Sequence, residues 1–488
     1  MRINLNIILR VIGAIIFFVG LIMLAPSIFS LVQEESKCWY LLFMALCTLI
    51  FGVLIFRFTN KGAENLSKRD GYLIVVGAWV ITALFSALPY IVNNYEVSFA
   101  DAWFESVSGL TTTGATIFKD LEELPSSILL WRSLTQWIGG MGIIVLTIAI
   151  FPLLGVGGVE LFVAESPGPT SNKIHPRIKE TAKRLWLLYV SLTTILIGIL
   201  YLEGMSFFNA LNHGLTTIAT GGFSTKNESV AYFDSPLIQY TIIIFMFIAG
   251  INYSLIYASL KGRFKSVYKS DEFKVYVLFV LFSIVVVTCF MFTNNDRSFE
   301  ESFRAAAFQV ISMITTTGFV IEDFTVIHPV LSLFFFCLLF SGACAGSTSG
   351  GIKFVRHLVF AKNSLLEFKR LLHPNALIRL RLDKRLIAPK ILTHVLVFLL
   401  VYLFVFVIGT VAMTFVIADF EDPLISAAGM VATCLGNVGP AIGNIGPLDN
   451  FSSIPVSGKY LLTFIMLIGR LELFSVLILF TPYFWRSN

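Results

Sequence analysis

Long apolar runs separated by short polar intervals dominate the chain. Ten of them reach the ~20 residues that cross a hydrocarbon core. They lie near 11–32, 39–56, 73–94, 129–153, 185–203, 236–260, 275–293, 329–352, 391–417 and 458–484. Between them stand four shorter, more polar stretches of one design: a Phe, a short helical segment with small residues, then a turn rich in Thr and Gly. They read SFADAWFESVSGLTTTGAT (98–116), SFFNALNHGLTTIATGGFST (206–225), SFEESFRAAAFQVISMITTTGFV (298–320) and DFEDPLISAAGMVATCLGNVG (419–439).

The repeating unit is therefore span, half-length helix, turn, span. The expected fold is an all-α polytopic membrane protein with ten transmembrane helices: four such repeats around a pseudo-fourfold pore, plus an N-terminal two-helix hairpin. The expected divisions are 1–70 for the hairpin and its loop, then 71–184, 185–274, 275–390 and 391–488 for the four repeats. Aligning on the turn puts Gly114, Gly222, Gly318 and Gly436 in register.

Half-helices this short cannot cross the bilayer, so they enter from one side and turn back. Non-helical backbone at membrane depth survives only where it lines water or is buried in protein. Four turns on one axis would surround a pore. A Gly in each turn admits positive φ, and a ring of backbone carbonyls can replace the hydration shell of a monovalent cation. The candidate filter residues are Thr112, Thr113 and Gly114; Thr220, Gly221 and Gly222; Thr316, Thr317 and Gly318; and Leu435, Gly436 and Asn437. One TTTG string is an ordinary turn; four such segments, each between two spans, are the signal.

Composition agrees with lipid as the main solvent: 56% of residues are hydrophobic and 13% charged, against about 25% charged in soluble domains. Arg2 and Arg10 flank an apolar run too long for a cleavable signal, so the first helix is expected to stay. Six scattered cysteines show no CxxC pair and read as packing residues. No P-loop, dinucleotide fingerprint or HExxH string is present, so no enzyme activity and no cofactor are expected in this chain.

Charge sets the orientation. With the N-terminus inside, the inner segments hold 27 of the 35 Lys and Arg, and 20 of the 30 acids lie outside. Positive-inside bias thus places both termini in the cytoplasm. The acidic outer face would concentrate cations at a pore mouth, although ordinary loop solvation gives the same bias.

These residues resemble the Trk/Ktr/HKT superfamily of potassium transporters, and within it the Trk H-subunit branch. The four turn strings carry the likeness, with QWIGGMGIIVLTIAIFPLLGVGGVELFVAESPGP (136–169), KIHPRIKETAK (173–183) and GRLELF (469–474). The resemblance implies potassium uptake across the cell inner membrane, with potassium as substrate at the filter. It implies a homodimer bound to a cytosolic ring of regulatory subunits of the Trk A type, which alone bind the nucleotide. Glycine in all four aligned positions favours potassium, since sodium-conducting relatives often carry serine in the first.

The run SGACAGSTSGGIK (341–353) interrupts the eighth span, and its Gly346, Ser347, Thr348, Gly350 and Gly351 are poor helix formers. Close helix packing through small residues would explain such a run; the resemblance implies an intramembrane gating loop below the filter. Arg470 falls mid-span, where a charge is costly. By resemblance it faces the pore and limits cation occupancy; otherwise it is a structural Arg bound to helix-end carbonyls. Glu472 would lie on nearly the opposite helix face from it. The basic segment 353–390 suits either anionic lipid or the regulatory ring, and no nucleic acid is expected. The rival reading is a symporter coupling potassium to protons or sodium, a class that buries midplane carboxylates; Glu472 is the one acid placed mid-span.

Overall fold

The structure is a computed structural model that describes residues 3–59, 67–92, 97–154, 178–294 and 297–486. The stretch 155–177, which holds parts of two of the family-like strings, lies outside the described residues. In chain order the principal helices are α1 (Leu5–Val32), α2 (Cys38–Phe58), α3 (Lys68–Val92), α4 (Phe99–Leu110), α5 (Ser126–Leu154), α6 (Ile178–Leu202), α7 (Phe207–Ile218), α8 (Pro236–Ala249) and α9 (Tyr253–Leu260). There follow α10 (Asp271–Asn294), α11 (Phe299–Ile314), α12 (Pro329–Leu338), α13 (Phe354–Leu372), α14 (Pro389–Val416), α15 (Pro423–Gly436) and α16 (Val456–Arg470).

Six helices among the described residues are long and apolar enough to cross a membrane, and eight crossings result if each of two bent pairs counts as one. The bent pairs are α8 with α9, turned by 102°, and α16 with Phe474–Phe480, turned by 111°. The other two expected spans are α5, whose backbone breaks at Gly142 (φ 70°, ψ 157°), and α12. The run expected over 329–352 is helical only to Leu338, because the Gly- and Ser-rich stretch beyond it folds as a loop. One element departs from an all-α fold: Arg381–Leu382 and Arg385–Leu386 form an antiparallel ladder, β1 and β2. Asp383 and Lys384 turn it with φ of 49° and 64°, the left-handed pair a two-residue hairpin requires.

The N-terminal hairpin packs backbone against backbone. A Cβ on Gly52 of α2 would stand 2.5 Å from the Phe17 amide nitrogen of α1, so the small residue fixes how closely the two helices approach. The apolar core divides in two around the centre of the molecule. One half gathers α1 to α5 with α14 to α16, the other α6 to α12.

The short helices α4, α7, α11 and α15 have 12, 12, 16 and 14 residues. At 1.5 Å per residue they reach about 18–24 Å, short of a ~30 Å core. Their starts are written locally. Ser98, Ser206 and Ser298 each accept a hydrogen bond from the backbone N–H three residues on, and Asp101 and Glu301 complete capping boxes at two of them. The fourth starts differently, with Pro423 at its first turn after Asp422.

Candidate functional site

All four short helices end in one backbone motif. Thr112, Thr220, Thr316 and Asn437 adopt left-handed φ of 52°, 53°, 55° and 53°. Around each, two hydrogen bonds recur: its own N–H reaches the carbonyl three residues back, and the next N–H reaches back five. The second bond is 2.9 Å for Thr113 to Ser108, Gly221 to Thr216 and Thr317 to Ser312, and 3.0 Å for Val438 to Thr433. This is the Schellman termination, which satisfies helix-end carbonyls. Left-handed Thr costs on the order of 1–3 kcal/mol, so the surroundings hold these turns in place.

Two residues after each left-handed position stands a glycine with positive φ: Gly114 (82°), Gly222 (77°), Gly318 (77°) and Gly439 (107°). The alignment on Gly436 is thereby corrected. Leu435 and Gly436 belong to the last turn of α15, and the fourth turn is Asn437-Val438-Gly439. Aligning by the first Gly after the helix failed because Gly436 occupies the place of Thr111 and Thr315. The usable signal was Asn437, the residue type that best tolerates left-handed φ after Gly, followed two positions on by Gly439.

The four turns close a cycle. A Cβ on Gly114 would strike the Gly221 carbonyl oxygen, one on Gly222 that of Thr317, one on Gly318 that of Val438, and one on Gly439 that of Thr113. Gly114, Gly222, Gly318 and Gly439 also line a single open cavity of about 70 Å³. Two buried oxygens at the left-handed positions, Thr112 Oγ1 and Asn437 Oδ1, have no hydrogen-bond partner among the described residues.

Side chains behind the turns were not legible in the sequence. Seven residues before the left-handed position stand Glu105, His213 and Gln309, all fully buried. Each grips the segment after its own turn: Glu105 accepts the Ile117 N–H at 2.9 Å, His213 Nε2 meets Ser224 Oγ at 3.1 Å, and Gln309 Nε2 donates to Glu322 O at 2.9 Å. Met430 takes this place in the fourth repeat. Glu105 is ion-paired with buried Arg132 of α5 at 2.7 Å. Arg132 also donates to Thr116 Oγ1 at 3.1 Å and Ser224 O at 3.2 Å and lies over the Phe223 ring, so it joins the first two turns from behind. At the exposed edge of the first two turns the Asn227 amide and the Glu122 N–H hold the Asp120 carboxyl below its ordinary range.

Below the turns runs 341–353, every part of it tied down. Gly342 N–H donates to Ile352 O (2.8 Å) and Phe354 N–H to Ala343 O (3.1 Å), closing the loop at its neck. Gly346 and Gly351 take positive φ, and Gly346 O accepts the Tyr253 N–H. Ser347 Oγ bonds to Ser349 Oγ at 2.9 Å and Thr348 Oγ1 donates to Ile218 O at 3.2 Å. Gly350 N–H donates to Thr316 Oγ1 at 2.7 Å. Glu272 Oε1 accepts from Ala345 N–H (2.6 Å) within the loop and from Val355 N–H (3.2 Å) in the first turn of α13, so it ties the loop to the helix that follows it.

Arg470 joins this loop to α5, donating to Thr348 O at 2.9 Å, to Gly139 O at 2.5 Å and to Gly140 O at 3.2 Å. Its guanidinium thus binds backbone carbonyls of two other repeats. Glu472 is not on the opposite face of a continuous helix: α16 ends at Arg470, and Glu472 and Leu473 take φ of 56° and 54° in a break. Its partner is Arg356 of α13, at 2.5 Å.

A multi-pass helical membrane protein whose short helices bring four matching turns to one cavity has the build of a transport protein. A family model described as "TrkH: Cation transport protein" matches residues 39–487, and the chain belongs to that family. It is 41% identical over 483 residues to the Trk system potassium uptake protein TrkH of Escherichia coli K12, covering 98% of this chain and 99% of that one. It is 32% identical to the Trk system potassium uptake protein TrkG of the same organism, with 99% of each chain covered. The crystal structure of the potassium transporter TrkH from Vibrio parahaemolyticus superposes with a TM-score of 0.88 at 35% identity, covering 99% of this chain and all of that one.

Removing one partner from a buried, hydrogen-bonded ion pair costs about 3–5 kcal/mol. Arg132→Met is therefore expected to lower the melting temperature of the detergent-solubilised protein sharply. Arg132→Lys is expected to recover little, because one ammonium cannot reach Glu105, Thr116 and Ser224 together. Thermal-shift measurement on both variants checks this.

Proposed function

We propose that this chain takes up potassium across the cell inner membrane through a channel-like filter built by four span, short-helix, span repeats, with ten crossings in all. The observation that carries the reading is the closed cycle in which each repeat's glycine admits the next repeat's carbonyl, at Thr113, Gly221, Thr317 and Val438. Those four oxygens, with Thr112 Oγ1 and Asn437 Oδ1 nearby, supply the uncharged ligands that a dehydrated monovalent cation needs. The relatives named as potassium uptake proteins support potassium as the substrate.

The loop 341–353 is the gate in this reading, held closed by Glu272 on one side and Arg470 on the other. Both termini are cytoplasmic, which puts 353–390 on the inner side. There α13 and the β1–β2 hairpin offer a basic face to anionic lipid and to a cytosolic nucleotide-binding ring, the companion component that the word "system" in the relatives' names suggests. The chain works as a homodimer and itself holds no nucleotide. Coupled symport is less well supported, since Glu472 is ion-paired with Arg356.

Purified protein in liposomes is expected to admit potassium down its gradient at the same rate with and without a proton gradient; a rate that follows the proton gradient would select the symporter. Gly439→Ser and Gly114→Ser are both expected to lower potassium-over-sodium discrimination. Gly436→Ser lies in a helix, where its Cβ would press on Leu339 O, and is expected to lower stability with little change in ion preference. Permeability ratios for the three variants test the corrected register.

Arg470→Ala removes both a charge beside the conduction path and the hydrogen bond to Thr348 O. Potassium flux per folded protein is expected to rise several-fold, with ion preference kept. Arg470→Lys retains the charge without the three-carbonyl grip, so its flux is expected to lie between the two. Stopped-flow flux normalised to folded protein measures it, and an Ala variant no faster than wild type would return Arg470 to a packing role.

A further inference from the structure

The four turns share a backbone and differ in what braces it. In the first, Thr111 and Thr113 hydroxyls flank the left-handed residue and bond to each other at 2.8 Å; in the third, Thr315 and Thr317 do the same at 2.8 Å. In the fourth the flanking residues are Gly436 and Val438, which have no hydroxyl. There the left-handed side chain itself is the brace: Asn437 Nδ2 donates to Met466 O and Thr113 Oγ1, both at 3.0 Å, and to Cys434 O at 3.3 Å.

The second turn has no hydroxyl pair, and the side chain of its left-handed Thr220 reaches only the adjacent Ala219 O, at 2.7 Å. Ala219 and Gly221 stand where the hydroxyl pair would be, and Gly221-Gly222 is the most pliant pair in the ring. Its brace comes from α5, across the repeat boundary. Gln136, fully buried, donates from Nε2 to the Gly221 carbonyl at 2.6 Å and accepts the Phe223 N–H on Oε1 at 3.0 Å. One side-chain amide thereby fixes the peptide groups on both sides of Gly222. The fit is reciprocal, because a Cβ on Gly221 would run into the Gln136 amide. A side chain at 221 and a long side chain at 136 exclude each other.

We propose that Gln136 is the specificity-positioning residue of the second repeat, supplying from outside the turn the stiffness that the hydroxyl pairs supply within the first and third. The inference rests on the filter reading above. A carbonyl oxygen has two lone pairs, so Gly221 O can accept the Gln136 N–H and still face a cation. Without the brace the peptide between Gly221 and Gly222 is free to turn or move inward, and the ring then accommodates a smaller ion.

The test uses full-length protein in liposomes, with potassium and sodium uptake measured on the same folded preparation. Gln136→Leu keeps much of the volume and removes both bonds; Gln136→Glu keeps the acceptor for Phe223 and removes the donor to Gly221. Each is expected to lower the potassium-to-sodium ratio by about tenfold, the scale of one or two net hydrogen bonds. The combination Gln136→Ala, Ala219→Ser and Gly221→Thr puts a hydroxyl pair into the vacated space and is expected to recover most of the ratio. A folded Gln136→Leu or Gln136→Glu protein with the wild-type ratio overturns the proposal, and so does a folded triple variant that stays as unselective as Gln136→Leu. A wild-type protein that does not prefer potassium overturns the filter reading instead.

Discussion

The ring of turns exists because a hydrogen atom occupies the place of a Cβ at Gly114, Gly222, Gly318 and Gly439. Each of these positions is pressed by the carbonyl of the following turn, and the fourth is pressed by that of the first. A side chain at any one of them must open the cycle there, since the obstacle is backbone and cannot swing aside. The rest of the protein is arranged to keep that closure. The short helices are stopped by turns that satisfy their own carbonyls, and their left-handed Thr residues are tolerated because the polar groups behind them are bonded. Irregular backbone within a membrane needs enclosure by protein or a water-lined path, and Thr112, Thr220, Thr316 and Asn437 are all fully buried.

Much of this was legible along the chain, and what escaped has a physical cause. The Ser-Phe starts of three repeats are N-caps, a local device with a local signature, and they marked the helices well. The TTTG strings marked two turns for the same reason. The fourth turn misled because its glycine at 436 lies one position before the left-handed residue, where it is merely the last helical residue, while Asn437 supplies the left-handed φ. Spacing between glycines was the wrong measure; the order of a left-handed residue and a glycine two places later was the right one. The ten apolar runs measured hydrophobicity, not continuity, and so joined α8 to α9 and α16 to the helix beyond it across breaks of about a right angle.

Contacts between repeats left no trace in the sequence. Arg132 reads as one outer-side cation among seven, and Gln136 as a polar residue in a span. Their meaning comes from partners in another repeat: Ser224 is 92 positions from Arg132, and Gly221 is 85 from Gln136. Arg470 shows the same limit. Sequence posed pore charge against structural Arg as alternatives; the contacts that define its place are backbone carbonyls of the loop beneath the turns and of the broken helix α5, none of them near it in the chain.

The N-terminus of α10 shows how the β1–β2 hairpin meets the buried centre. Asp271 faces the hairpin: its N–H donates to Asp383 Oδ1 at 2.7 Å, and its carboxylate takes the Asp383 N–H at 3.2 Å and the Lys362 ammonium at 2.7 Å. The next residue, Glu272, holds the loop under the turns at Ala345 and the start of α13 at Val355. Adjacent carboxylates on one helix end therefore grip the hairpin and the loop separately, and α10 cannot tilt at this end without disturbing both. Arg356 and Glu472 add a second tie, from the start of α13 to the break after Arg470. A loop bonded at its neck and its tip is not a slack segment: its Gly residues give it the shape to fit beneath Thr316 and Asn437, and its hydrogen bonds hold it there.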